Sequence, residues 1–460
     1  MMDRNKQYIA DLKTYVIAVL LLAGFALWVK RMDIGSDWQQ AGMTTFSLGF
    51  VLLSAYLVAQ ILKITGLPLI SGYIFVGILA GPFITGFLNN EMVLRLRLVD
   101  DLALSFIALV AGGSLRKTFL LSRGRAIVVN ILLLSLVVFV MVGLSFYFIT
   151  IRLRLIPELS SSQITVLAVL LGVIAIARSP SSAIAIIEEC RAEGMFSATV
   201  LGVTVALDVL IIIFFTMALT VSKIIMGQGM PVDFQAFGIL SSAVAGSLAL
   251  GILFGKGISL YIEKVKHDLP LFLLFFAFSV FKISLFLNAF METRFAVSLQ
   301  LEPLLICISA GFTVQNFSRY GPVFMENLER FALPIFVLFF SLAGASLNLD
   351  ALRTTWPLAL FLVMVRIVGI FGSTWLAGVI SGDPKPHRRI AWMAYITQAG
   401  VAIGLAQLAQ RRFPELGVYL TTLVLAVITI NQVAGPITFK MALRLAGEIG
   451  GKNGISQEPS

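Results

Sequence analysis

The sequence predicts an all-α, polytopic membrane protein with about 13–14 transmembrane helices. Three observations carry that prediction. Of 460 residues, 58% are hydrophobic and 13% charged, a balance suited to a bilayer and not to a water-exposed surface. The apolar runs repeat at the length a helix needs to cross about 30 Å of hydrocarbon, and they lack the alternation of barrel strands. The segments between them are short, with no linker that would part the chain into separate domains.

Taken in order, the spans fall near 14–30, 44–64, 67–88, 99–116, 126–151, 164–189, 197–222, 235–262, 270–291, 297–315, 331–349, 356–381, 388–410 and 416–445. Residues 1–43 read as an N-terminal extra helix and loop, 44–447 as the membrane domain, and 448–460 as a polar, Gly-rich tail that frays. The first span resembles a signal-peptide core, but Lys30-Arg31 follows it without a small-residue cleavage site. With the N-terminus in the cytoplasm, nineteen Lys/Arg fall on the cytoplasmic side, eleven fall outside and four lie within spans. That bias places both termini in the cytoplasm, with Arg116-Lys117, Arg123 and Arg125 forming the clearest positive loop. The net charge of +10 is thereby loop charge, and no basic run is long enough to engage nucleic acid. Cys190 and Cys307 are too few for a disulfide framework, and His267 and His387 fall in loops. Neither a metal site nor a cofactor is expected, and no enzymatic activity.

Two spans are interrupted. The first, at 164–189, is broken by Ala177-Arg178-Ser179-Pro180, and the next span carries Asp208 among aliphatic residues. Proline and serine free backbone groups that lipid cannot satisfy, so the break must sit in protein or line a wet cavity. From the turn near Glu193, Arg178 is fifteen residues back and Asp208 fifteen forward, which puts both about 22 Å from one face. The second interruption, Thr397-Gln398-Ala399-Gly400, follows a span carrying Arg366. From the turn near Asp383, Arg366 and Gln398 again reach the middle of the bilayer. Spans five to seven and twelve to fourteen are thus triplets with an interrupted middle helix, and they start on opposite faces. Paired interruptions in inverted halves mark the transport site of a secondary transporter.

The chain also resembles the monovalent cation:proton antiporter family of the sodium/hydrogen exchanger-like superfamily. The resemblance rests on LPLISGYIFVGILAGP at 67–82, LALSFIALVAGGSLR at 102–116, the Arg-Ser-Pro break at 178–180 and ALDV at 206–209. It extends through LPIFVLFFSLAGASLNL at 333–349, TQAGVAIGLA at 397–406 and INQVAGPITFK at 430–440. It implies two crossing broken helices and a core that moves like an elevator against a dimerising scaffold. The core would be spans 126–222 and 356–445 and the scaffold 44–116 and 270–349, linked by helix 235–262. It also implies a homodimer. Asp208 matches the ion-binding aspartate and Arg366 the basic residue of the second triplet. Two positions depart from the pattern: Leu207 stands where relatives carry a polar or acidic residue, and Arg178 stands where they carry Thr.

The expectation that follows is exchange of Na⁺, K⁺ or Li⁺ for protons across a cytoplasmic membrane by alternating access. Asp208 would hold a proton or a cation, never both, because hard cations prefer oxygen ligands. Ser179, Thr204, Thr397 and Gln398 are candidate neutral ligands, although each could equally bond its own helix. Arg178 and Arg366 would balance the carbonyl ends of the broken helices. Two alternatives stay open at this point. The same fold could carry an organic anion, or a permanent Arg178–Asp208 pair could lock the site into a sensor.

Overall fold

The computed structural model describes residues 13–22, 24, 38–227, 234–265, 267–295, 301–398 and 400–450. Among them every regular element is helical. The helices are α1 (Lys13–Leu22), α2 (Trp38–Ile64), α3 (Leu69–Ala80), α4 (Asn90–Arg95), α5 (Arg97–Ser114) and α6 (Lys117–Leu153). Next come α7 (Ser161–Ile174), α8 (Pro180–Cys190), α9 (Met195–Ile225), α10 (Phe234–Lys264), α11 (Leu269–Phe295) and α12 (Pro303–Phe317). The last are α13 (Gly321–Ala345), α14 (Leu349–Ser381), α15 (Lys385–Ile390), a 3-10 turn at Ala391–Tyr395, α16 (Gly400–Arg412) and α17 (Pro414–Ala446). Among the described residues, eight helices are long and apolar enough to cross a membrane unaided. They are α2, α6, α9, α10, α11, α13, α14 and α17.

Several elements differ from their sequence-based bounds: α13 begins at Gly321 and not near 331, and α14 at Leu349 and not near 356. The run at 67–88 stays helical only to Ala80, because Gly81 is extended before Pro82 and the chain turns back, Leu88 N–H donating to Ala80 O at 2.8 Å. The short helix α4 was not expected; the Asn89 side chain caps it, accepting from Met92 N–H at 2.8 Å. Helix α6 begins at Lys117, so Arg123 and Arg125 lie on its first turns and not in a loop. The helix continues past the apolar run because its polar end needs no hydrocarbon. For the predicted span at 14–30, helix is described over Lys13–Leu22, and residues 25–30 lie outside the described residues, as do Ala399 and tail residues 451–460.

The chain divides into two compact units, one of Met1–Leu104 with Ala332–Asn348, the other of Ser105–Phe331 with Leu349–Ser460. In the first unit, close approach depends on small residues. A Cβ on Gly72 would lie 2.6 Å from Ala59 Cα, and one on Gly77 would lie 2.1 Å from Ser341 O. The second unit holds both triplets, α6 to α9 and α14 to α17. Within it α14 packs on α6 and α17, α6 on α7 and α9, and α17 on α8, α16 and the 3-10 turn.

Candidate functional site

The first interrupted span forms two half-helices. Helix α7 starts with a capping box, in which Ser160 Oγ accepts from Gln163 N–H and the Gln163 side chain accepts from Ser160 N–H. It stops at Ile174 because Pro180 cannot donate to the turn before it. Helix α8 then starts with that proline in its first turn, capped by Ser179 Oγ, which accepts from Ser182 N–H at 3.2 Å. The Ser179 hydroxyl also lies 3.1 Å from Ser181 Oγ and donates to Ser182 Oγ at 2.9 Å. So Ser179 is engaged by its own half-helix.

Stopping α7 leaves buried carbonyls, and two arginines and an amide meet them. Arg178 Nη1 donates to Ala175 O and Ala177 O, each at 3.1 Å. Arg366, from α14, donates through Nε to Ala175 O at 2.9 Å and through Nη2 to Ala177 O at 3.1 Å. Its Nη1 donates to Ile396 O of the second break at 2.8 Å. Gln398 Nε2 donates to Ile174 O at 2.9 Å. The two breaks are therefore tied to each other. Arg178 and Arg366 are 2% and 1% exposed, so these bonds form where water would not compete, and each is charge-assisted.

The second break is shaped by α17. Gly435 gives Thr397 its room: a Cβ there would lie 2.4 Å from Thr397 Cγ2 and 2.9 Å from its Cα. Thr438 Oγ1 donates to Met393 O at 2.9 Å, and Asn431 Nδ2 donates to Gln398 Oε1 at 3.0 Å. Asn431 was missed from sequence as a site residue, although a polar INQ string inside an apolar span was a signal for it.

Asp208 lies near the middle of the 31-residue α9, about 20 Å from its first residue. Thr204 is buried one turn earlier on the same face. The carboxyl atom Oδ1 is enclosed and has no hydrogen-bond partner among the described residues. Among those residues no ion pair within 4.0 Å includes Asp208, Arg178 or Arg366. The locked Arg178–Asp208 pair entertained from sequence is absent, because Arg178 is drawn to the carbonyls of its own broken turn.

One end of the second unit is closed by ion pairs. Arg123 pairs with Asp383 and donates to Thr199 Oγ1 at 3.0 Å. Lys440 pairs with Glu189 at 2.9 Å. Glu448, read from sequence as part of a frayed tail, instead caps α9: its carboxylate accepts from Phe196 N–H at 2.7 Å and Ser197 N–H at 2.8 Å. At the other end, a cavity of about 730 Å³ opens among α6, α7, α14 and α17. Leu171 lines both it and a small cavity beside Arg366 and Gln398.

Comparison with known proteins bears on the family and the fold. The model of the family described as "Sodium/hydrogen exchanger, transmembrane" matches residues 48–444. No curated protein matches in sequence. Two solved structures of the sodium proton antiporter MjNhaP1 from Methanocaldococcus jannaschii share the fold at 17% identity. The one at pH 8 has a TM-score of 0.61 and covers 88% of this chain and 97% of that one. The electron-microscopy structure has a TM-score of 0.62 and covers 90% of this chain and 95% of that one.

Proposed function

Because the chain belongs to the sodium/hydrogen exchanger family, we propose that it exchanges Na⁺, K⁺ or Li⁺ for protons by alternating access, with Asp208 as the single carrier. The observation that carries this reading is the contrast in engagement. Both midplane arginines donate to backbone carbonyls and not to Asp208, whereas the Asp208 carboxyl has an enclosed oxygen with no partner among the described residues. A carboxylate so placed can be neutralised by a proton or by a hard cation, and one site cannot hold both. Coupling then follows from charge. Asp208 is neutral when protonated and neutral as an ion pair, but the empty carboxylate is a bare charge in a low-dielectric medium and is costly to carry across. Only the loaded forms cross, which makes exchange obligatory.

Thr204 supplies a neutral oxygen on the same helix face, and the enclosed Oδ1 of Asn431 is a further candidate. Ser179 and Gln398 serve the breaks in the conformation described, and Thr397 packs against α17. In this reading the protein is a multi-pass membrane protein of the cytoplasmic membrane with both termini inside. It works as a homodimer whose core, residues 126–222 and 356–445, moves against the scaffold.

The test is flux in proteoliposomes. Asp208→Asn should remove cation-dependent proton movement for Na⁺, K⁺ and Li⁺ alike, while purified yield and thermal unfolding stay near wild type. Exchange at wild-type rates in that variant would overturn the assignment.

A further inference from the structure

The large cavity of the second unit takes no part in the exchange site described above. At about 730 Å³ it has the size of a pocket for a small organic molecule. Its floor is apolar: Phe146, Leu171 and Leu423 line it and are buried. Its rim is apolar as well, since Leu153, Leu155 and Val418 line it while 60%, 42% and 57% exposed. From Leu153 at the rim to Phe146 at the floor α6 runs seven residues, a depth of about 10 Å.

Water is poorly held in such a space. Thr354 donates its hydroxyl to Asp350 O and Ala351 O, and Thr355 donates to Ala351 O, all within their own helix at 2.7–3.1 Å. Few polar partners remain for a buried water. An empty cavity of this size would forfeit packing along every wall. Three of the four enclosing helices, α6, α14 and α17, are long and apolar enough to cross a membrane. In a bilayer the exposed apolar rim therefore meets lipid, and an acyl chain is the filling at hand.

Charge at the mouth selects the headgroup. Glu158 is exposed and is the one charged residue on the lining. Arg152 and Arg154 flank Leu153, and Arg353 precedes Thr354; all three are exposed. Among the described residues no ion pair within 4.0 Å includes any of these four. A headgroup with both a phosphate and a primary ammonium answers both signs, whereas an anionic glycerol headgroup leaves the carboxylate unanswered.

We propose that this cavity binds one acyl chain of a phosphatidylethanolamine, with the ammonium at Glu158 and the phosphate toward the neighbouring arginines. The seated chain braces the first break. Leu171 lies one helical turn before Ala175, whose carbonyl accepts from Arg178 and Arg366. The inference does not rest on which cation is exchanged or on Asp208 as carrier, and its readouts involve no transport.

The experiment mixes the purified, delipidated full-length chain in detergent with equal amounts of dioleoyl phosphatidylethanolamine and dioleoyl phosphatidylglycerol. Native mass spectrometry then counts the lipids retained. One phosphatidylethanolamine per chain should stay bound, and saturating amounts should raise the unfolding midpoint by about 2 °C or more. In Glu158→Gln the preference over phosphatidylglycerol should fall about fivefold, the scale of an exposed ion pair, while a lipid is still retained. Leu420 also lines the cavity, so the indole of Leu420→Trp should fill it and abolish both the bound lipid and the midpoint shift. Nanodiscs of phosphatidylethanolamine with brominated chains give a readout that needs no variant. Electron microscopy of the wild type in them should show bromine scattering between α6, α7, α14 and α17. No retained lipid, equal retention of phosphatidylglycerol by the wild type, or a shift that persists in folded Leu420→Trp overturns the proposal. So does bromine found elsewhere only, or a cavity that holds water or a side chain of a second copy in the nanodisc structure.

Discussion

The two interrupted helices solve one problem by different means. In the first, Pro180 forces the break, and side-chain donors repair it: the guanidiniums of Arg178 from within and Arg366 from the other triplet, with the neutral amide of Gln398. In the second no proline intervenes. A tight 3-10 turn at Ala391–Tyr395 runs into the gap, and packing repairs it, with Gly435, Thr438 and Asn431 of α17 holding the strand of residues between the half-helices. Arg366 donates to carbonyls of both. The difference teaches that a broken membrane helix needs its carbonyls satisfied, and that a buried cation or a close neighbouring helix can each do it.

The largest effect should come from the shared residue. Arg366→Gln removes three charge-assisted bonds spanning both breaks and should cost about 4 kcal/mol or more. Thermal unfolding in detergent would show it, and a loss near zero would mean that the two breaks do not depend on each other. Next comes the packing break. Gly435→Ala places a Cβ 2.4 Å from Thr397 Cγ2, so the second break must shift, at about 1–3 kcal/mol. The hydrogen bonds of Arg178 and Arg366 at the first break should survive that change. The smallest effect is at the cap: Ser179→Ala loses the bond to Ser182 N–H and should cost about 1 kcal/mol, with exchange retained. If Ser179→Ala instead lowered cation affinity strongly with no loss of stability, Ser179 would be a ligand and not a cap.

Much of this was legible in the sequence because the evidence for it is local. Proline and arginine inside an apolar run announce a break and a midplane charge without reference to any partner. The spacing from the turns at Glu193 and Asp383 fixes depth by helix rise alone. What stayed hidden depends on contacts between distant residues. The carboxylate of Glu448 caps a helix some 250 residues earlier in the chain, and nothing in a Gly-rich tail reveals that. Gln398 looks like a cation ligand until Ile174 O and Asn431 are seen to occupy its amide. The early stop of α3 was within reach of local reasoning, since Gly81-Pro82 ends a helix, but the apolar run continues past it and hydropathy outweighed the turn signal.

The central claim is that cation and proton compete for Asp208. It is tested most directly by equilibrium binding of Na⁺, K⁺ and Li⁺ to the purified chain over a range of pH. The account predicts that, at pH values where the site is mostly protonated, the apparent Kd of the cation that binds rises about tenfold for each unit fall in pH, the slope for one competing proton. Binding should disappear in Asp208→Asn. A Kd indifferent to pH, or a twofold steeper slope from two competing protons, would contradict a single alternating carboxylate.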